Sequence, residues 1–456
     1  MKNKYIFFSL IPFVLSAYFS DGFLHPDEHY QILELLNLKI SSVWKPEIFN
    51  WDFGLQIRSW FQVFVYFILS KISLIKNPFA LALLFRMFNG LLGFLSIYLL
   101  FKNEDDQETF HQQIMLVSWT WFIPFMFVRT SSESLSTSLF IIGAYFFLKG
   151  NSKRLLLSGI FWGMSFLCRF QMGIPILFAN IWYLITKKDV KGFVLHSFAV
   201  LVMIGVGAVI DRWGYGNWVF TPYQYFIANI IKSRASEFGT EPVWFYLTQS
   251  LVKGGLPLAI MLLVGTYLYW EKKPMGFWTV VTFSFFLVHS LIPHKELRFL
   301  FFVYVLSAYF TSKMLRYGGR LNTIMWKIAM FTNFIFLSKT MFTPAHSTVE
   351  LYKFINKQKI ETYFTPLNSD GSYFKLTMPF YEGRRVGTRG VEIKTNEGAL
   401  AGNFITTTYR EYEVFKKLKS CENIFSNHSK WVLEKNYFKW RERSAILSVW
   451  NCKSKT

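Results

Sequence analysis

Apolar runs of about 15–22 residues recur along the chain, separated by short polar or basic segments. A helix needs about 20 apolar residues to cross a bilayer. The candidate runs are Tyr5–Ser20, Phe79–Phe101, Gln113–Val128, Ser134–Leu148, Leu155–Leu167, Ile174–Thr186, Phe193–Ile210, Leu251–Trp270, Met275–Ile292, Phe299–Thr311 and Thr323–Phe342. They predict an α-helical polytopic membrane protein with about 11 spans. Several runs are short, which suits bent or broken helices around a cavity. Trp60–Ile75 carries Lys71 and is expected to be re-entrant or to lie at the surface. From Thr343 onward polar and apolar residues mix without another long run, so a small α+β domain is expected there. The pattern therefore divides the chain into a membrane part, 1–342, and a C-terminal domain, 343–456.

Charge changes the picture by giving the spans a direction. The net charge is +21, but the lysines stand in short blocks between apolar runs and form no recognition helix, which argues against nucleic-acid binding. Lys and Arg collect in cytoplasmic loops. With Lys2 and Lys4 inside, the basic segments Lys149–Arg154, Lys187–Lys191, Glu271–Lys273 and Lys313–Arg320 all fall in the cytoplasm. Lys102–Gln112 falls there too, though it is acidic. The other face receives Asp21–Ser59, Arg129–Glu133, Cys168–Gly173, Asp211–Ser250, Pro293–Arg298 and the tail. The N-terminal run reads as an uncleaved signal anchor, because Ala17-Tyr18-Phe19-Ser20 is a poor cleavage site. Cys421 and Cys452 can pair if the tail faces an oxidising compartment, or stay free. Asn427-His428-Ser429 is a sequon that matters only in a luminal tail.

The segments with unusual chemistry all fall on the non-cytoplasmic face. His25-Pro26-Asp27-Glu28-His29 places two carboxylates after a proline that suits a first helical turn. Its plainest reading is a helix N-terminus; its chemical reading is a general base, with Asp27 or Glu28 as the group. His25 and His29 are four apart, but a zincin pattern has Glu directly after the first His, so no metal is assigned. His294, Lys295 and Arg298 would share one face of a helix. Cations on the outer side have no topological cause, and a phosphate group is the natural partner. Glu296 stands between them to orient Lys295 or Arg298. Asp211, Arg212, Tyr215 and Trp218, in DRWGYGNW directly after a span, combine aromatic faces with an ion pair, as an interfacial belt or a sugar site would. Arg86 lies inside a span, and Arg169 with Gln171 lies at a break between short runs. A charge in the membrane faces a cavity or a partner.

HPDEHYQ, DRWGYGNWVFTPYQYF, EFGTEPVWFYLTQ and HKELRFLFFVY occur in this order between Phe23 and Phe302, and together they resemble glycosyltransferase family 22. Those are dolichyl-phosphate-mannose-dependent α-mannosyltransferases. Glu241 and Val243 depart from the family's GTHPWHWY-type segment. The resemblance implies a GT-C architecture with its site on the luminal or periplasmic face. It implies a polyprenyl or dolichyl phosphate mannose donor, a glycan or glycolipid acceptor, inversion at the anomeric carbon, and no cofactor beyond the lipid-linked donor. Asp27 would be the base, with Glu28 second, and His294, Lys295 and Arg298 would hold the donor phosphate. His25, His29, Gln31, Arg169, Asp211, Arg212, Tyr215 and Trp218 would line the substrate. The membrane would be that of the endoplasmic reticulum in a eukaryote or the inner membrane of a bacterium. A transferase of another sugar, a flippase for a lipid-linked sugar, and a scaffolding subunit are the competing classes.

Overall fold

The computed structural model of the chain describes residues 2–41, 51–102, 110–314, 320–368, 370–383, 386–392 and 401–453. The segment expected around Lys102–Gln112 and the one around Lys313–Arg320 lie largely outside the described residues. The chain forms two compact units. One comprises Met1–Ser20, Phe49–Ile72 and Leu83–Thr343; the other comprises Asp21–Ile48, Ser73–Ala82 and Pro344–Thr456.

The first unit is helical. Polar caps and left-handed residues set the helix ends: Ser131 accepts from the Ser134 amide to open Ser132–Lys149, and Gly150 closes it at φ 65°. Asn151 caps Ser152–Cys168, and Asp189 caps Val190–Tyr215. Among the described residues two helices, Pro78–Lys102 and Val190–Tyr215, are long and apolar enough to cross a membrane on length and composition. On the second, Val194, Phe198, Leu201 and Val209 are all more than half exposed. An apolar face of that extent suits hydrocarbon rather than water. Its other face packs against Ser152–Cys168 through Gly159 and Gly163. A methyl group at Gly159 would lie 2.5 Å from the His196 carbonyl oxygen, and one at Gly163 would lie 2.4 Å from Met203 Cβ. Small residues four apart let two helix backbones approach.

Some expected spans prove to be broken, for local reasons. Gln113–Val128 divides into Phe110–Ser118 and Phe122–Phe127. Pro124 cannot donate to the Thr120 carbonyl and its ring excludes that carbonyl, so the helix must restart. Leu251–Trp270 divides at Gly254-Gly255, with Gly255 at φ 79°, into Phe245–Lys253 and Leu256–Lys272. The run expected to end at Ile210 continues to Tyr215, so Asp211 and Arg212 sit near its C-terminal end rather than in a loop. Trp60–Ile75 contains a helix of 13 residues, Phe61–Ser73.

The second unit holds a five-stranded sheet: β1 Thr362–Pro366, β2 Gly387–Val391, β3 Gly402–Thr406, β4 Cys421–Ser426 and β5 Ser448–Cys452, in the order β2-β1-β3-β5-β4. β1 runs parallel to β2 and β3, while β5 runs antiparallel to β3 and β4. Cys421 and Cys452 are register partners on β4 and β5 and form a disulfide. Phe404, Tyr412, Phe415 and Trp450 form the core beneath. The unit is not cut at 342 alone, because 21–48 and 73–82 belong to it. The Asp21 carbonyl accepts from the Ala345 amide at 2.7 Å, and Gly22 (φ 92°) lies against His346 where a Cβ would approach to 3.0 Å.

Gly159→Val should disrupt the helix pair by overpacking, at a cost of about 1–3 kcal/mol. The measurement is the thermal unfolding midpoint of the detergent-solubilised chain. An unchanged midpoint would show that the close approach carries no stability.

Candidate functional site

The basic turn begins where the helix Phe277–Leu291 ends ahead of Pro293. Ile292 and Glu296 are extended, and a short 3-10 turn, Leu297–Leu300, follows. His294, Lys295 and Arg298 therefore do not share a helical face as their spacing suggested. Glu296 links two of them instead: its carboxylate accepts from Arg298 Nε at 2.7 Å and Nη2 at 3.2 Å, and lies 3.3 Å from His294 Nε2.

A second chain segment is clasped to this turn. The Glu241 amide donates to the Pro293 carbonyl at 2.9 Å. Lys295 Nζ donates to the Glu241 carbonyl at 2.7 Å, and His294 Nδ1 lies 3.0 Å from the Gly239 carbonyl, to which it donates. Gly239 has φ 103°, a conformation that side chains resist. The two motifs GTEPVWFY and HKELR are thus one structural piece. Burial pushes the Lys295 ammonium below its ordinary value, and the nearby Glu241 charge opposes the shift.

Beneath the turn lies a buried carboxylate. Glu133, in the first turn of Ser132–Lys149, accepts on Oε1 from Arg169 Nη1 at 2.5 Å and from Arg298 Nη1 at 3.1 Å. The three side chains are 2 %, 6 % and 9 % exposed, so they answer one another in a medium poor in water. Arg169 caps the C-terminus of Ser152–Cys168 in extended conformation, which turns it out of the helix. The Phe299 ring lies against both guanidiniums, 5.0 Å from Arg169 and 5.1 Å from Arg298. Sequence reasoning did not single out Glu133. The available signal was a carboxylate at the start of an apolar run on the same face as the cations.

DRWGYGNW divides between scaffold and surface. Asp211 is buried and accepts from the Trp60 amide at 2.7 Å, Ser59 Oγ at 3.1 Å and Thr221 Oγ1 at 2.5 Å. Tyr215 donates to the Arg58 carbonyl at 2.9 Å. Both tie chain segments together. Arg212 and Trp218 stay exposed, with the guanidinium 4.5 Å from the ring centroid. Arg86 is buried and donates to the Ala17 carbonyl at 2.8 Å.

In the second unit, HPDEH is a capped turn. His25 is the N-cap of Pro26–Glu28, and its Nδ1 accepts from the Asp27 amide at 3.2 Å. Glu28 Oε1 accepts from the Leu24 and His25 amides at 3.1 and 3.2 Å, which closes a capping box. Glu28 is 2 % exposed, whereas the Asp27 side chain is 28 % exposed. A π turn, His29–Leu33, follows and holds the half-buried Gln31. His29 is fully buried, with Nε2 2.7 Å from Glu34, and Glu34 also accepts from the Phe380 amide at 3.0 Å. His29 stacks on Tyr381 at a centroid distance of 5.4 Å. This arrangement leaves Asp27 as the carboxylate of the pair that reaches solvent.

A family model described as the Alg9-like mannosyltransferase family matches residues 5–372. The chain belongs to that family. It is 24 % identical over 296 residues to GPI alpha-1,2-mannosyltransferase 3 of Bos taurus, covering 60 % of this chain and 52 % of the relative. It is 26 % identical to GPI mannosyltransferase 3 of Candida albicans, covering 64 % and 60 %. Alpha-1,2-mannosyltransferase ALG9 of Mus musculus is 33 % identical over a shorter stretch, 30 % of this chain and 24 % of that protein. The chain thus spans about half the length of the first of these relatives. The fold is that of GT-C glycosyltransferases. ArnT from Cupriavidus metallidurans, solved with undecaprenyl phosphate, is similar with a TM-score of 0.60 at 11 % identity, over 98 % of this chain and 97 % of that one. The Archaeoglobus fulgidus oligosaccharyltransferase is similar with a TM-score of 0.52 at 12 % identity, over 91 % and 70 %.

Glu34→Ala strips the Phe380 amide and the His29 ring of their acceptor, at a cost of about 1–3 kcal/mol for each group left unsatisfied. A fall in the thermal unfolding midpoint of the purified chain is the expected result. A midpoint equal to that of the parent would remove Glu34 from this structural role.

Proposed function

We propose that the chain is an inverting α-mannosyltransferase that moves mannose from a polyprenyl or dolichyl phosphate mannose to a glycan or glycolipid acceptor. The reaction would take place on the luminal or periplasmic side of the membrane. Membership of the family and the names of the relatives support the sugar. The solved complexes of similar fold, with undecaprenyl phosphate and with dolichol-phosphate, support the lipid phosphate. The observation that carries the reading is the buried cationic cluster of Arg169, Lys295 and Arg298 in this chain. Buried cations of that kind suit an anionic ligand group that itself leaves water. The disulfide Cys421–Cys452 supports an oxidising compartment for the tail.

The proposed step is a single in-line displacement. The acceptor oxygen bonds to the anomeric carbon as its proton passes to Asp27, and the bond from that carbon to the phosphate oxygen breaks. The lipid phosphate leaves with the electron pair and one added negative charge. Asp27 is favoured over Glu28 because Glu28 spends Oε1 on two backbone amides and is buried. Arg212 and Trp218, which are exposed, suit sugar or headgroup contacts.

Asp27→Asn should abolish transfer from labelled polyprenyl-phosphate-mannose in membranes, with expression unchanged. Glu28→Gln should instead lower the yield of folded protein. Full transfer by the Asp27 variant would dismiss it as the base.

A further inference from the structure

The cations of the basic cluster are not equally available to a ligand. Lys295 donates to the Glu241 carbonyl at 2.7 Å and approaches the Pro293 carbonyl at 3.4 Å. It works as a clasp between two loops. Arg298 places Nε and Nη2 on Glu296 and Nη1 on Glu133. Arg169 differs. Only Nη1 is engaged, by Glu133, while Nε and Nη2 are buried and have no hydrogen-bond partner among the described residues. A buried donor left unsatisfied costs about 1–3 kcal/mol, and more on a charged group. Nε and Nη2 lie on one edge of the planar guanidinium, the edge that binds two oxygens of a phosphate side by side.

The surroundings fit a ligand that carries both an anion and a hydroxyl. His289 is 3 % exposed and its Nδ1 donates to the Phe285 carbonyl at 2.9 Å. In the neutral ring Nε2 then keeps a lone pair, and it has no partner among the described residues. His289 and the buried Tyr246 both lie within electrostatic reach of Arg169. Two donors on Arg169 and one acceptor on His289 thus have no hydrogen-bond partner among the described residues.

We infer that Arg169, rather than Lys295, contacts the donor phosphate, and that Glu133 is the positioning residue that presents it. This inference rests on the proposed lipid-phosphate-sugar donor and names the group within the cluster that touches it. Glu133 fixes the guanidinium by Nη1 and leaves the Nε–Nη2 edge for the ligand. His289 Nε2 accepts from a hydroxyl of the same ligand. The phosphate carries one negative charge as a diester and gains another as the sugar leaves, so the Arg169 contact strengthens along the reaction.

The test uses the full chain in detergent, with farnesyl phosphate and farnesol as probes and intrinsic fluorescence as the binding signal, alongside transfer kinetics with polyprenyl-phosphate-mannose. The parent should prefer farnesyl phosphate to farnesol. Arg169→Lys keeps the charge but loses the fork, and it should weaken farnesyl phosphate by about tenfold or more. It should raise the KM for the donor and leave the KM for the acceptor in place. Lys295→Met should cost the same probe less than about threefold, because it only loosens the clasp. Parental affinity in Arg169→Lys, or an equal loss in Lys295→Met, overturns the assignment. If Arg169→Lys does not fold, Glu133→Asp retracts the carboxylate by one methylene. It should also weaken farnesyl phosphate, and parental binding there overturns the assignment as well. Arg169-dependent binding of farnesyl phosphate by a chain that transfers no mannose keeps the phosphate site and removes the sugar.

Discussion

One buried carboxylate oxygen holds the cationic cluster in place. Glu133 Oε1 is shared by Arg169 and Arg298, which arrive from the end of one helix and from a turn far along the chain. Removing an ion from water costs several kcal/mol even after relaxation, so such groups persist only where they answer each other. The arrangement fixes the start of Ser132–Lys149, the extended exit of Ser152–Cys168 and the turn Leu297–Leu300 relative to one another. The Phe299 ring packs against both guanidiniums. The 239–241 loop is then clasped onto this base through Lys295 and Gly239. A conformationally demanding glycine, a buried lysine and a shared carboxylate thus describe one construction.

The same rule sorts the other acidic residues. Asp211 binds two hydroxyls and a backbone amide, Glu28 binds two amides at a helix start, and Glu34 binds a ring nitrogen and an amide. Each is almost completely buried, and each uses its lone pairs to satisfy backbone that would otherwise be stranded. Their neighbours in sequence keep the solvent: Asp27 beside Glu28, and Arg212 beside Asp211. Motif residues that look equivalent in the sequence are therefore divided between holding the fold and meeting a substrate. A helix turn points adjacent side chains about 100° apart, so two neighbours can meet different surroundings.

The solvent on the outside matters as much as the packing inside. Val190–Tyr215 turns glycine, alanine and histidine toward its partner and a row of valine, leucine and phenylalanine outward. Helices Gly173–Lys187 and Arg320–Phe342 also carry exposed apolar residues, including Leu177, Ile181, Phe331 and Phe334. In water those faces would drive aggregation; in hydrocarbon they are neutral, and close backbone approach supplies the attraction instead.

The membrane class, the approximate limits of most helices and the order of the motifs were legible in the sequence, because length and hydrophobicity are local quantities and a bilayer imposes its thickness on them. Proline and glycine were also readable in principle, and Pro124 and Gly254-Gly255 break runs that hydrophobicity alone joined. The pairing of Cys421 with Cys452 stayed open, because strand register decides it. Spacing suggested a helical face for His294 and Arg298 that Pro293 and the extended Glu296 prevent. Glu133 could not be found from its own neighbourhood, since its partners lie 36 and 165 residues away. The sequence determined which charged residues this chain carries next to apolar runs. Only the tertiary structure decided which of them neutralise one another, because that depends on distances of about 3 Å between atoms that chain connectivity does not constrain.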